Sequence, residues 1–302
     1  RVLFRSVTAL AKDFGDDLVF LQDQIGGAVS ELVLMKKGMG LSGEAMKNLG
    51  SIAQSEGGTL QDSLTEGMVA SAHLSKQFGV DVKLIGKGLN AMASDMKTFG
   101  HLSTKEMAAV ATYSAKLGIE IKDLQGVMGA FDTFESAAQN AGKLAEAFGM
   151  NIDAMKMMNA ENPAERIDML RQSLQETGKS FDELSRHEKN LMAQTAGLDM
   201  KSLQNAMSVD VDEMGFDDFG DAAEEVAEKM TPEQAMKDVA KSIGDSMFTS
   251  SIKSPKLESS SSPIGVSMEM GSFAIFSTLR TFSSDMSIRF PNSSGVGSWP
   301  VS

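Results

Sequence analysis

From about residue 7 to about residue 247, apolar residues recur three, four and seven positions apart, the spacing that gathers them on one face of an α-helix. Asn162-Pro163-Ala164-Glu165 opens the clearest segment. Asn162 can accept from the first free N–H groups, and Pro163 fits the first helical position, where no N–H is needed. Glu165 is placed to complete a capping box. Ile167, Leu170 and Leu174 follow on one face, and Gly178 supplies the left-handed residue that stops the helix.

The same grammar recurs. Ser180-Phe181-Asp182-Glu183 is a Ser-x-x-Glu capping box, predicting a helix that carries Leu184, Leu191 and Met192 and ends near Gly197. Ser103-Thr104-Lys105-Glu106 opens another, with Met107, Val110, Ala111 and Leu117 before Gly118. Thr231-Pro232-Glu233-Gln234 opens a third, with Ala235, Met236, Val239 and Ile243 before Gly244. A loose repeat follows from the stops: Gly79-Val80-Asp81-Val82, Gly118-Ile119-Glu120-Ile121, Gly149-Met150-Asn151-Ile152 and Gly197-Leu198-Asp199-Met200. In each, two apolar residues bracket a polar one, and Asp199 or Asn151 is a candidate N-cap. The spacing between these glycines is uneven, so the pattern is not a solenoid of fixed period. The fold class read from it is all-α: a string of short amphipathic helices and helical hairpins punctuated by Gly.

Four regions are expected. Residues 1–208 form the helical core. Residues 209–228, with Asp210, Asp212, Glu213, Asp217, Asp218, Asp221, Glu224, Glu225 and Glu228 and no lysine or arginine among them, read as a solvated acidic linker leading into a helix. Residues 229–247 hold the capped helix. Residues 248–302, with Ser259-Ser260-Ser261-Ser262-Pro263 and then Pro291, Gly295, Gly297 and Pro300, read as a low-complexity, disordered tail.

Composition narrows the function classes. The hydrophobic fraction is 42%, aromatics are 6%, and the chain carries 23 Met. Alanine and methionine suit thin helix–helix seams, since Ala lets backbones approach and Met fills irregular gaps. The net charge of −13 argues against binding phosphate backbones through a basic face. With no cysteine there is neither a disulfide framework nor a thiolate metal site. No run approaches 18 apolar residues, so no membrane span is expected. The start, Arg1-Val2-Leu3-Phe4-Arg5-Ser6, has no initiator Met and no signal-peptide core, and the chain reads as part of a longer one.

A search for chemistry yields no catalytic, cofactor-binding or metal-ligating residues. Asp210-Val211-Asp212 begins like a calcium loop, but Met214 stands where the third oxygen ligand belongs and Asp221 replaces the final Glu. His187-Glu188 makes no zinc motif, and His73 and His101 have no ligand at a useful spacing. Glu135 and Glu146 are a carboxylate pair of the kind helical proteins carry by chance. Gly38-Met39-Gly40-Leu41-Ser42-Gly43 imitates a dinucleotide loop without a strand before it, and Gly86-Lys87-Gly88 lacks the rest of a phosphate loop.

Three stretches carry a family likeness: Phe131-Asp132-Thr133-Phe134-Glu135-Ser136-Ala137-Ala138, Lys143-Leu144-Ala145-Glu146-Ala147-Phe148-Gly149-Met150-Asn151 and Thr195-Ala196-Gly197-Leu198-Asp199. Through them residues 118–208 resemble the phage tail tape measure family, and the Ala-, Gly- and Met-rich run from Gly38 to Ala115 is similar in style. The resemblance implies a non-enzymatic structural virion protein. Such proteins lie as helices in the tail lumen, set tail length and leave the tube ahead of the genome. It also implies the tail tube protein and tail assembly chaperones as partners, self-association in a helical bundle, no cofactor, and residence in the host cytoplasm during assembly. The alternative is a helical interaction module, such as another tail or baseplate component or an adaptor. The repeated glycine stops suit folded hairpins better than one continuous rod.

Overall fold

The computed structural model describes residues 29–55, 57–160, 162–209, 215–242 and 244. These belong to one compact unit, Arg1–Lys253; the second unit, Ser254–Ser302, and the whole of the expected tail, 248–302, lie outside the described residues. So does the helical pattern expected before residue 29. The described fold is all-α, short amphipathic helices stopped by glycine, with no strand among the described residues.

In chain order the helices are α1 (Val29–Leu34), running into a single π-turn at Met35–Met39, α2 (Gly43–Ser55), α3 (Leu60–Phe78), α4 (Val82–Ser94), α5 (Met96–Phe99) and α6 (Thr104–Leu117). Then come α7 (Ile121–Ala130), α8 (Phe134–Phe148), α9 (Ala154–Asn159), α10 (Pro163–Glu176), a 3₁₀ turn (Phe181–Glu183), α11 (Arg186–Ala196) and α12 (Met200–Met207). The last are α13 (Asp217–Glu224), α14 (Val226–Lys229) and α15 (Pro232–Ser242).

Caps explain where they begin. The Ser103 hydroxyl accepts from the Glu106 N–H while the Glu106 carboxylate accepts from the Ser103 N–H at 2.7 Å, so two of the orphan donors of α6 are satisfied locally. Thr59 with Asp62 does the same for α3, and Thr231 with Gln234 for α15. Asn162 accepts from the Ala164 N–H, but Glu165 closes no box there. Glycines explain where helices end. Gly79, Gly118, Gly149 and Gly197 all sit at φ between 68° and 77°, as their stop pattern requires.

Two boundaries differ from expectation. The Ser180 box caps only the 3₁₀ turn, and a second box, Ser185 with Glu188, starts α11. Overlapping Ser-x-x-Glu patterns compete here, and the second wins because Leu184 turns into the core in extended conformation. The N-cap after Gly149 is Asp153 rather than Asn151, since Met150 is drawn into the core before the chain turns helical.

The expected acidic linker over 209–228 is corrected by α13. Phe216, Phe219, Ala222, Ala223 and Val226 are buried, at spacings that make one face of the helix. Asp217, Asp218, Asp221 and Glu224 occupy the other, exposed face. The excess of carboxylates is therefore the wet side of an amphipathic helix that packs on α6 and α3. Residues 210–214, which include the calcium-loop-like Asp210-Val211-Asp212, lie outside the described residues.

One apolar core runs from Leu32 to Ala240, so α13 and α15 share it with the segment before residue 208. At its centre is α6, buried on every side from Met107 to Ser114. Its alanines admit close neighbours: a Cβ built on Gly88 of α4 would lie 2.6 Å from the Ala111 Cβ. No described helix is long and apolar enough to cross a membrane.

Candidate functional site

The polar chemistry of the core is concentrated on α10, whose apolar stripe of Ile167, Leu170 and Leu174 is flanked by two buried arginines, Arg166 and Arg171. Arg171 sits one helical turn after Asp168, and its Nη1 donates to Asp168 Oδ1 at 2.6 Å and to the Tyr113 hydroxyl at 2.9 Å. Its Nη2 donates to the Val209 carbonyl at 2.9 Å. Asp168 accepts further from the Tyr113 hydroxyl and from the Phe216 N–H. One ion pair thus ties α6 to both ends of the stretch 209–216.

The ring of Tyr113 lies edge-on to Phe216 and Phe219, with centroids 5.5 Å away in each case. Phe219 in turn stacks on Phe78 at 3.9 Å. Burial, then the charge of Asp168, pushes the Tyr113 phenol above its ordinary pKa, so it stays protonated and serves as a donor. With no solvent-facing atom, it has no route to a substrate.

Arg166 is 3% exposed and fans its guanidinium across three backbone carbonyls: Ala160 at 3.0 Å, Met158 at 3.1 Å and Met128 at 2.9 Å. These lie at the C-terminal ends of α9 and α7, where carbonyls lack intrahelical partners and the helix dipole is negative. The planar fork with its several donors suits that task. Burial lowers the guanidinium's pKa. Nearby, Ser202 donates to the buried Asp123 at 2.6 Å, joining α12 to α7.

A concavity of about 320 Å³ lies between α6, α10 and α13. Glu106, Glu165, Asp217, Asp221 and Glu224 line it, with no lysine, arginine or histidine among its walls. It contains no nucleophile beside a base. Among the described residues no three or more His, Asp or Glu side chains are placed to hold a metal ion.

The structure keeps the sequence's candidate groups apart. His73 is half-buried on α3, and its Nε2 is enclosed without a hydrogen-bond partner. Burial first, then Lys229, lowers its pKa. His101 is exposed in the turn after α5 and His187 is exposed on α11. Glu188 is occupied with the Ser185 N–H at 2.8 Å. Glu135 and Glu146 share the exposed face of α8, about 16 Å apart along its axis by helical rise, beyond the reach of a glycosidase pair. Gly38 to Gly43 forms the end of the π-turn and the start of α2. Gly86 is a packing glycine of α4, set against the Met39 carbonyl.

Sequence reading missed Tyr113, Arg166, Asp168 and Arg171 as a unit. The available signal was arginine at helical positions contiguous with an apolar stripe, where a solvated face would not put it. No protein-family model matches the chain, and no curated protein or solved structure matches it significantly.

Proposed function

We propose that this chain is an architectural section of a phage tail tape measure protein, acting through its helices and without catalysis. The observation that supports this best is the punctuation: helix after helix begins at a local cap and stops at a left-handed glycine. Such joints let a chain open from a folded core into a line of helices without breaking any helix. Tyr113, Asp168, Arg166 and Arg171 fit the same reading, since their hydrogen bonds hold separate segments to each other. The tail tube protein and tail assembly chaperones are the partners, and the tail lumen is the final location.

In-frame deletion of residues 104–196 from the full-length gene tests this. Spread as helix, those residues span roughly 140 Å at about 1.5 Å per residue, so tails shorten by that order on electron micrographs. Unchanged tail length refutes a measuring role for the segment.

A second reading, a helical interaction module, is favoured by the exposure of Phe134, Leu84 and Met155. Affinity capture from infected lysate separates the two: tail tube protein or chaperones support the first, host proteins alone the second.

A further inference from the structure

Gly220 sits midway along the eight-residue α13 and lines the concavity between α6, α10 and α13. Glycine inside a helix costs about 1 kcal/mol against alanine. Packing does not ask for it here: a Cβ built on Gly220 would meet only Phe216 Cε1, at 4.0 Å. The fold leaves open a floor that any larger side chain would fill. On the α10 wall, Asn162 is 5% exposed and its Oδ1 accepts from the Ala164 N–H at 2.9 Å, which fixes the orientation of the amide. Its Nδ2 then donates to no group among the described residues, and it is not among the polar atoms sealed from solvent. On a side chain this deeply buried, the concavity that Asn162 borders is where the free donor opens.

An unpaired donor calls for an acceptor, while the carboxylates around it call for positive charge. Glu106, Glu165, Asp217, Asp221 and Glu224 line the same space. Asp217 and Asp221 make no ion pair among the described residues. Lys105, whose charge reaches Glu224, is paired with Glu66 at 2.8 Å. No three of the carboxylates are placed to close on a metal ion. A free polyamine brings only donors, and would set an N–H against Asn162 Nδ2. A lysine or arginine within a peptide brings both a cationic head and a main-chain carbonyl. Its aliphatic stem has Ala109, Phe216 and Ala223 to lie along. At about 320 Å³ the concavity falls at the low end of the roughly 300–1,000 Å³ of ligand sites.

We propose that this concavity binds a basic segment of a partner polypeptide. One lysine or arginine residue places its charge among the carboxylates and its main-chain carbonyl on Asn162 Nδ2. The inference stands apart from the tail reading, because it follows from the walls of the concavity whatever the chain does.

The test titrates Ac-Ala-Lys-Ala-NH2 into the full chain labelled with ¹⁵N at asparagine and glycine. The peptide shifts the Asn162 side-chain amide and the Gly220 backbone amide to saturation, and added salt weakens the binding. The norleucine counterpart has the same carbonyls and no charge, and 1,5-diaminopentane has charge and no acceptor; each binds about tenfold more weakly. Gly220→Gln removes the peptide's effect on Asn162 without lowering Tm, since the fold has room for the added side chain. Asn162→Asp keeps the N-cap and adds a carboxylate, yet weakens the peptide about tenfold as read at Gly220, because the donor is gone. Titration without saturation overturns the proposal. So does 1,5-diaminopentane binding as tightly as the peptide. Asn162→Asp binding the peptide as tightly as the wild type, or more tightly, overturns it too, since charge alone would then account for the attraction.

Discussion

Gly126 and Gly129 lie three residues apart on α7, yet the structure gives them opposite fates. A Cβ built on Gly126 would stand 2.0 Å from the Gly197 carbonyl oxygen, and one built on Gly197 would stand 2.2 Å from the Gly126 carbonyl oxygen. Here the backbone of α7 touches the glycine that ends α11. Ordinary carbon–oxygen contact needs more than another ångström, and both sides of the clash are backbone, which cannot swing away. Gly126→Ala therefore forces α7 and α11 apart, at the upper end of the usual cost of overpacking, about 3 kcal/mol. Against this, alanine gains about 1 kcal/mol in helix propensity over glycine. The net loss is about 2 kcal/mol, a fall in Tm of roughly 4–8 °C for a domain of this size. A Cβ on Gly129 meets nothing within 4 Å, so Gly129→Ala keeps the propensity gain, reduced near the helix end, and raises Tm by up to about 4 °C. Thermal melts followed by circular dichroism at 222 nm decide it. Gly126→Ala melting at or above the wild type would refute the claim that this contact fixes how α7 and α11 pack.

Arg166→Met leaves the Ala160, Met158 and Met128 carbonyls without their donor and costs about 2–4 kcal/mol by chemical denaturation; Arg166→Lys recovers little of it, because a single ammonium cannot reach all three. Tyr113 is the only tyrosine, so phenolate absorbance near 295 nm reports on it alone. Its pKa is raised in the fold, so the stability it contributes is intact below the unfolded value of about 10 and is lost as pH climbs beyond it. The phenolate signal should appear only together with the loss of helix. For His73 the pKa is lowered by burial and by Lys229, so its stabilising share is present above about 6.5 and drains away as pH falls below that, when the unfolded chain takes up the proton first. Urea midpoints of the wild type and His73→Leu measured from pH 7 to pH 5 should converge or cross, the wild type alone losing stability through the histidine.

Helix ends were the most legible feature of this sequence, because caps and glycine stops act within one turn and need no knowledge of the fold. Ser103, Asn162, Thr231 and Asp199 each cap as their spacing implies. What depended on tertiary contact was harder to read. Phe216-Asp217-Asp218-Phe219 passes for a linker until Phe78 and Tyr113 are seen to receive its rings. An amphipathic reading of α6 found one face, although alanines and Thr112 let neighbours close in on the remainder. Arg166 and Arg171 look solvated in sequence because arginine usually is. Only the carbonyl ends of α7 and α9, the Val209 carbonyl and Asp168 show why these two can be buried.

The division between local and distant polar contacts bears on how such a chain could work as architecture. The caps of α3, α6, α8 and α11 each join residues three positions apart, so they persist when the helices are pulled away from one another. The ties that would be lost join distant residues: buried ones such as Asp168 and Arg171 to the 209–216 stretch, Arg166 to Met128 and Ser202 to Asp123, and more accessible ones such as Lys105 to Glu66, Gln125 to Asp95 and Asn205 to Gly118. Capping alone does not hold a helix as short as the 11-residue α11 in water, since isolated helices below about 12–15 residues are marginal. Helices drawn out from this core therefore need a new apolar neighbour to stay folded. Under the function proposed above, that neighbour is another copy of the same chain.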